Sequence, residues 1–194
     1  ISGAIGFAKA FEDQPGKRVV AVLGDSTFMH SGLTGLMDVV YNRAKVIVCV
    51  LDNRTTAMTG HQEHPGTGFT VKGVPTHAVD IAEVARALGV KHVYETDPFN
   101  IADTDRVMKE CMTLDEPSVI VAKRACALKC RNVDFALSVV DEEIRHKCKA
   151  CLKIGCPAIV FRNDMIFVDK SMCYGCGICR QVCPFDAIEP IETD

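Results

Sequence analysis

Most of the cysteines of this chain lie in one short stretch. Eleven cysteines occur among 194 residues, and seven of them fall between Cys148 and Cys183. A disulfide framework is one explanation, but the first residues lack the basic and apolar regions of a secretory signal. A strong apolar pattern also fills the first 125 residues, so the fold does not depend on cross-links. We therefore expect these cysteines to bind a metal or a cluster.

The later part of this stretch, "CYGCGICRQVCP", has a specific spacing. It matches the run C-x₂-C-x₂-C-x₃-C-P, which binds a [4Fe-4S] cluster and whose fourth cysteine serves the other cluster when two are present. A zinc site is the alternative, but four cysteines this close, with a proline after the last, fit a cluster better. The cysteines of this run are Cys173, Cys176, Cys179 and Cys183.

The earlier part, "RHKCKACLKIGCP" at 145–157, resembles a second such run that has one cysteine too few. The last cysteine of each run binds the cluster of the other run, an arrangement that we call the crossed rule. This rule assigns four ligands to a first cluster and leaves three for a second. The first set is Cys173, Cys176, Cys179 and Cys156. The second set is Cys148, Cys151 and Cys183.

The missing ligand of the second set falls at Arg145 when the x₂ spacing is counted backward. Arginine cannot bind iron, because its guanidinium is always protonated and offers no lone pair. Three outcomes stay open: a [3Fe-4S] cluster, a fourth ligand from His146, Cys130 or water, or an empty site. We favour an altered or labile cluster, because the other three cysteines and the apolar pattern around them are intact.

Ahead of the cysteines, short apolar runs alternate with amphipathic stretches. This rhythm predicts a parallel sheet covered by helices, with ligands bound at the carboxyl ends of the strands. The predicted strands are 18–24, 46–52, 90–96 and 118–124, and the predicted helices are 31–42, 79–89 and 100–112.

The rhythm stops after "AKRACALKCRN", so we expect two domains, 1–130 and 131–194. The predicted fold is an α/β parallel-sheet domain followed by a small α+β domain of the bacterial ferredoxin type. Short strand-like pieces at 135–141 and 158–169 surround the cysteines of the second domain, whose core the clusters would help to form. The chain starts without methionine and directly in a helical pattern, so we expect it to be part of something longer.

Polar residues end two of the predicted strands, in "GDSTF" (24–28) and "LDNRTTAMTGHQ" (51–62). Asp25 and Asn53 would lie side by side on neighbouring strand tips. With a backbone carbonyl near Thr55, they would offer hard oxygen ligands for a Mg²⁺ ion that holds a diphosphate. The alternative is that Asp25 caps the next helix and Asn53 only turns the chain.

The "GDS…LDN" pair resembles the diphosphate-binding motif of thiamine diphosphate enzymes, which usually begins GDG. The longer string "GDSTFMHSGLTGLMDVVYN…VLDNRTTAMTGHQEHPGTG" resembles the α subunits of indolepyruvate:ferredoxin oxidoreductases, within the 2-oxoacid:ferredoxin oxidoreductase family, whose members share the serine at this position. The resemblance covers essentially the whole chain, which would be the C-terminal part of such a subunit. It implies that Asp25, Asn53 and the carbonyl of Thr55 bind Mg²⁺. It also implies that Gly24 and Ser26 contact the diphosphate and that Thr59, Gly60 and Gln62 line the cofactor.

The activity implied by the resemblance is oxidative decarboxylation of an aryl 2-oxoacid. Coenzyme A accepts the acyl group, and electrons pass through iron–sulfur clusters to ferredoxin. Enzymes of this kind also need a glutamate on a separate domain to activate the cofactor, and we find no such domain in this sequence. We therefore expect a β subunit or further residues to complete the site. No catalytic residue is assigned in this chain. A ferredoxin-like electron-transfer module without thiamine chemistry is the alternative; a non-oxidative thiamine decarboxylase would have no use for the cysteines.

Other features favour ordinary roles. His30, His61 and His64 stand near the predicted cofactor, where a hydrogen-bonded loop histidine is the usual state. Cys49 and Cys111 fit small buried thiols. The net charge is −3 and the basic residues are scattered, which indicates neither nucleic-acid nor membrane binding. The apolar runs are too short to span a bilayer. We expect a cytoplasmic protein.

Overall fold

The chain divides into two compact units, Ile1–Cys130 and Arg131–Asp194. The computed structural model describes residues 1–14, 16–129, 137–141 and 148–191. In this part of the chain, none of the helices is long and apolar enough to cross a bilayer.

The first unit is built on a four-stranded parallel sheet in the order β1-β2-β4-β3. This confirms the predicted α/β parallel-sheet class. Each strand is followed by helical structure before the next strand, as parallel pairing requires. The strands are β1 Val19–Gly24, β2 Val46–Asp52, β3 His92–Thr96 and β4 Ser118–Lys123, and the helices are α1 Ser2–Ala10, α2 Asp25–Thr27, α3 Leu33–Tyr41, α4 Ile81–Ala87 and α5 Ile101–Thr113.

Helices pack on both faces of this sheet. Val46, Val48 and Val50 of β2 point to one face, where they pack with residues of α1, α3 and α4. The alternate residue Ile47 points to the other face and packs with residues of α5, among them Val107. Strands buried on both faces are apolar at nearly every position, which is why the sequence showed continuous apolar runs.

The connection from β1 to α3 differs from the sequence expectation. Helical backbone begins directly after β1 at α2, continues through a π-helical turn at Phe28–Gly32, and only then becomes α3. At Gly32 a Cβ atom would stand 2.9 Å from Cδ1 of Leu23, so a larger residue would require the Leu23 side chain to shift. The predicted helix at 31–42 therefore began too late and missed the helical backbone of α2 and the π turn. Segments of about one turn are too short to show a helical repeat in the sequence.

The second unit contains two antiparallel strand pairs, β5 with β8 and β6 with β7. Its core brings Cys151 together with Ile159, Ile166 and Ile188. The elements are β5 Leu137–Val140, a 3₁₀ turn at Ala150–Ile154, β6 Ile159–Arg162, β7 Met165–Val168, α6 Ile178–Gln181 and β8 Ile188–Ile191. Strands this short need other stabilisation, and the cysteine side chains around this core indicate where it comes from.

Candidate cofactor and cluster sites

The polar residues that follow β1 and β2 meet at the carboxyl edge of the sheet. Gly24 at the end of β1 pairs with Leu51 of β2 in parallel register. Asp25 follows Gly24 directly, and Asp52 and Asn53 follow Leu51. This edge is where open parallel sheets bind their ligands.

The carboxylate of Asp25 is buried and only partly satisfied. The residue is 3% exposed. Its Oδ1 accepts a hydrogen bond of 2.7 Å from the backbone N–H of Ser26. Its Oδ2 is buried and has no hydrogen-bond partner within the described residues. Gly24 occupies the N-cap of α2, so a helix-capping role does not account for the second oxygen, whereas a cation ligand would.

Asn53 and Thr55 form a turn after β2. The side-chain Oδ1 of Asn53 accepts a hydrogen bond of 3.1 Å from the N–H of Thr55. The carbonyl of Thr55 accepts one of 3.0 Å from the N–H of Ala57. Each of these oxygens has a second lone pair, so the turn leaves them able to contact a cation as well.

The loop from Thr59 to Gln62 is held by its own polar groups. The hydroxyl of Thr59 donates to Oε1 of Gln62, and Nε2 of Gln62 donates back to the carbonyl of Thr59, both at 2.6 Å. Gly60 between them has φ of 117°, which favours glycine. Two internal hydrogen bonds therefore join the ends of this loop, where the resemblance places the cofactor.

A second carboxylate lies beside the first. Asp52 is 5% exposed, and burial raises its pKa, with the charge of Asp25 adding to the effect. Arg54 opposes this shift: its Nε stands 3.3 Å from Oδ2 of Asp52, and its backbone N–H donates to Oδ1. The sequence analysis did not single out Asp52 or Arg54, although their position within "LDNR" pointed to this edge.

The three histidines near this edge differ in their surroundings. His30 is exposed. His61 places Nε2 3.9 Å from the sulfur of Cys126, and the N–H of Cys126 donates to the carbonyl of Asn53. His64 is buried, and its Nε2 stands 3.1 Å from Oδ2 of Asp25.

One cavity in the second unit collects the four cysteines of the first predicted set. The cavity has a volume of about 300 Å³, and the apolar side chains of Ile159 and Val168 also line it. The N–H of Gly175 donates to the sulfur of Cys173 at 3.4 Å, a bond of the kind that tunes cluster potentials. A large apolar cavity with convergent thiols fits a [4Fe-4S] cluster. The cysteines are Cys156, Cys173, Cys176 and Cys179.

A smaller cavity collects the three cysteines of the second set, Cys148, Cys151 and Cys183. Its volume is about 20 Å³, which is the space of about one water molecule. Burial raises the pKa of the Cys151 thiol. Three thiols around so small a space do not fit a full [4Fe-4S] cluster as the side chains stand.

No group of three or more His, Cys, Asp or Glu side chains is close enough to hold a single metal ion within the described ranges. Arg145 and the alternative ligands His146 and Cys130 lie outside the described residues.

Cys49 and Cys111 behave as structural thiols. Cys111 is 1% exposed and packs with Ile47 and Ile120. Burial raises the pKa of both thiols, which suppresses the reactive thiolate.

Two family models define the class of this chain as a thiamine diphosphate-binding domain joined to an iron–sulfur domain. Residues 1–122 match the family described as "Thiamine pyrophosphate enzyme, C-terminal TPP binding domain", and residues 166–189 match the "4Fe-4S binding domain". The chain belongs to the thiamine pyrophosphate enzyme family through this C-terminal TPP-binding domain.

The similarity to indolepyruvate oxidoreductases is confirmed. The chain is 41% identical to the "Indolepyruvate oxidoreductase subunit IorA" of Pyrococcus horikoshii, over 99% of this chain and 31% of that protein. It is 43% identical to the protein of the same name from Pyrococcus abyssi, over 91% of this chain and 29% of that protein. The chain thus spans about a third of the length of these curated relatives, and it matches their C-terminal part.

The fold of the first unit is shared with solved structures. One is described as "2-oxoglutarate:ferredoxin oxidoreductase from Magnetococcus marinus with 2-oxoglutarate, coenzyme A and succinyl-CoA bound". The two chains have a TM-score of 0.54 and are 16% identical, over 64% of this chain and 44% of that one.

Proposed function

We propose that this chain supplies the diphosphate-binding half of the active site, and the first part of the electron exit, of a 2-oxoacid:ferredoxin oxidoreductase. The observation that carries the proposal is the buried Oδ2 of Asp25, which stands 3.1 Å from Nε2 of His64 but makes no hydrogen bond among the described residues and keeps a lone pair for a cation. A buried carboxylate oxygen is unfavourable unless a cation or a donor satisfies it. Thiamine diphosphate, when bound, supplies the carbanion chemistry that removes carbon dioxide from a 2-oxoacid.

The residues at the carboxyl edge have distinct roles in this proposal. Asp25, Asn53 and the carbonyl of Thr55 hold Mg²⁺, and the cation holds the diphosphate. Gly24 and Ser26 contact the diphosphate; the open space at Gly24, where a Cβ would meet no atom within 4 Å, allows a close approach. Thr59, Gly60 and Gln62 line the cofactor in a loop whose ends are joined by two internal hydrogen bonds.

The proposed substrate is an aryl 2-oxoacid of the indolepyruvate type, with coenzyme A as the acyl acceptor and ferredoxin as the electron acceptor. The relatives from both Pyrococcus species carry indolepyruvate in their names. A β subunit and further residues complete the active site, because the matching family model, over residues 1–122, is the C-terminal TPP-binding domain of such enzymes. We place the enzyme in the cytoplasm under oxygen-poor conditions, which iron–sulfur clusters favour.

Electrons leave through the four-cysteine cavity of the second unit. Cys156, Cys173, Cys176 and Cys179 would hold a [4Fe-4S] cluster there, which supplies one-electron transfer. The three-cysteine set of Cys148, Cys151 and Cys183 holds an altered or labile cluster, such as [3Fe-4S]. Its small cavity and missing thiol both support this difference between the two sites.

A calorimetric titration of the full subunit complex with thiamine diphosphate tests the thiamine half of the proposal. Heat of binding that requires Mg²⁺ and disappears in Asp25→Ala is the expected result. A complex that binds no thiamine diphosphate, yet still passes electrons through its clusters, would support the electron-transfer module instead.

Iron and acid-labile sulfide per chain, with EPR spectra of anaerobically purified protein, test the cluster assignment. About seven irons with an oxidised-state signal of a three-iron cluster is the expected result. About eight irons would mean that another ligand replaces the cysteine missing at Arg145, and about four would mean that the second site is empty. Arg145→Cys restores the missing thiol and should raise the count to about eight.

A further inference from the structure

His64 is held in one orientation by the turn that follows it. Its Nδ1 accepts a hydrogen bond of 3.1 Å from the backbone N–H of Gly66. Its carbonyl accepts bonds of 2.9 Å from the N–H and from the hydroxyl of Thr67. Because Nδ1 is an acceptor, the proton of the neutral imidazole is on Nε2, and this nitrogen is a donor.

The free donor of this ring faces the partly satisfied carboxylate. Nε2 of His64 and Oδ2 of Asp25 are 3.1 Å apart, and both side chains are 4% exposed. The distance suits a hydrogen bond, but the two groups are not aligned for one, and neither atom has another hydrogen-bond partner within the described residues. Buried polar atoms are usually hydrogen-bonded. A small rotation of the Asp25 carboxylate would align these two atoms for a hydrogen bond.

The ring has little room to turn away from Asp25. A Cβ atom on Gly66 would stand 3.1 Å from Cε1 and 3.3 Å from Nδ1 of His64, so the turn backbone already lies against the ring. Arg54 fastens this turn to the tip of β2: its Nη1 donates to the carbonyl of Gly66 at 2.7 Å, and its Nε contacts Asp52. The backbone at Gly66 thus restricts the imidazole at Nδ1 and Cε1.

We propose that His64 is the positioning residue of the cation site, whose Nε2–H fixes the orientation of the Asp25 carboxylate for a divalent cation that carries a diphosphate. This role rests on the proposed function. A carboxylate oxygen has two lone pairs, so Oδ2 can accept from His64 and still bind the cation. Partners that orient a metal ligand in this way typically contribute 10- to 100-fold to metal affinity.

Two substitutions at the same position separate the donor from the rest of the ring. His64→Asn keeps an acceptor near Nδ1 for the N–H of Gly66 but cannot reach Asp25. His64→Gln places its amide nitrogen close to the position of Nε2 and keeps the donor. His64→Phe fills the volume without a donor and is the second donor-free variant if His64→Asn does not fold. His77→Asn, at an exposed position in the same loop region, is the matched control.

The measurement is the affinity for Mn²⁺, read by EPR in the presence of thiamine diphosphate, on the full subunit complex. We expect His64→Asn and His64→Phe to weaken Mn²⁺ binding about 10- to 100-fold, while His64→Gln stays within about threefold of the unsubstituted protein. Melting temperatures measured without cation distinguish this role from a packing role. If His64 positions Asp25, the loss of Mn²⁺ affinity among the variants should not parallel a loss of melting temperature.

Two results would overturn the role of His64. One is unchanged Mn²⁺ affinity in His64→Asn and His64→Phe. The other is an equal loss in His64→Gln, which would make the ring rather than its donor responsible. If the unsubstituted complex itself binds no Mn²⁺ with thiamine diphosphate, the proposed function fails at Asp25, and the comparison of variants shows which of the two ideas is wrong.

Discussion

Gly24 and Leu51 are register partners at the carboxyl ends of β1 and β2. This pairing places Asp25, the first residue after β1, beside Asp52, the last residue of β2, at the sheet edge. Both carboxylates are buried. Two buried carboxylates on adjacent strand tips form a local negative site, in which Arg54 compensates Asp52 and leaves Asp25 for a cation.

Asp25→Ala should abolish cation-dependent binding of the diphosphate. We expect the affinity for thiamine diphosphate with Mg²⁺ to fall by more than about 100-fold, beyond the loss typical of an indirect partner. Calorimetry on the subunit complex measures it. Asp105→Asn, which removes an exposed carboxylate paired with Lys109 on α5, should leave the affinity unchanged. Equal affinities in both variants would remove Asp25 from the site.

Cys156→Ser should leave the four-cysteine cavity with three thiols, all from the run that begins at Cys173. We expect the iron content to fall by about one per chain and a second three-iron signal to appear in the EPR spectrum of the oxidised protein. Cys49→Ala, in the apolar strand β2, is the control and should leave the iron content unchanged. Full iron content in Cys156→Ser would contradict the crossed assignment.

Gly66→Ala should disturb the cation site without touching a predicted ligand. The added Cβ would stand 3.1 Å from Cε1 of His64 and 3.4 Å from Cε of Met29, so the ring must shift. We expect the affinity for Mn²⁺ to fall by about 10-fold. In Gly3→Ala, the added Cβ meets no atom within 4 Å, and this variant should bind like the unsubstituted protein. A normal affinity in Gly66→Ala would show that the ring position does not matter.

Tyr94→Phe tests a contact between β3 and α5. The hydroxyl of Tyr94 donates to Oε1 of Glu110 at 2.7 Å, and this hydrogen bond, with some burial, raises the pKa of Tyr94 to about 12. The folded state therefore holds the proton more tightly than the unfolded state, whose pKa is near 10.0. The stabilisation is complete below that pH and is lost as the pH rises toward 12.

Urea unfolding measures this effect. We expect Tyr94→Phe to lower the free energy of unfolding by about 0.5 kcal/mol near pH 8, because solvent screens this exposed contact, and the difference from the unsubstituted protein to shrink between about pH 10 and 12. Tyr41→Phe removes a hydroxyl from a side chain that is 86% exposed and should change little at any pH. A difference that grows with pH would mean that the hydroxyl is ionised in the folded state.

The strands of the first unit could be predicted from the sequence, and so could a grouping of the cysteines into two sets. The strand at 46–52 was predicted from an unbroken apolar run, because a strand buried on both faces must be apolar at every position. The spacing of Cys173, Cys176 and Cys179 and the crossed rule were enough to add Cys156, and the structure collects these four residues in one cavity. These are local patterns, or patterns fixed by cluster chemistry, and they can be read without a fold.

The contact between His64 and Asp25 could be seen only in the folded molecule. The sequence placed His64 near the predicted cofactor but gave no reason to pair its side chain with that of Asp25, 39 positions earlier. Their contact depends on the register of β1 with β2, on the length of the loop after β2, and on a turn that fixes the imidazole. Contacts of this kind follow from the packing of distant segments, and side-chain packing in three dimensions leaves no periodic signal in the sequence.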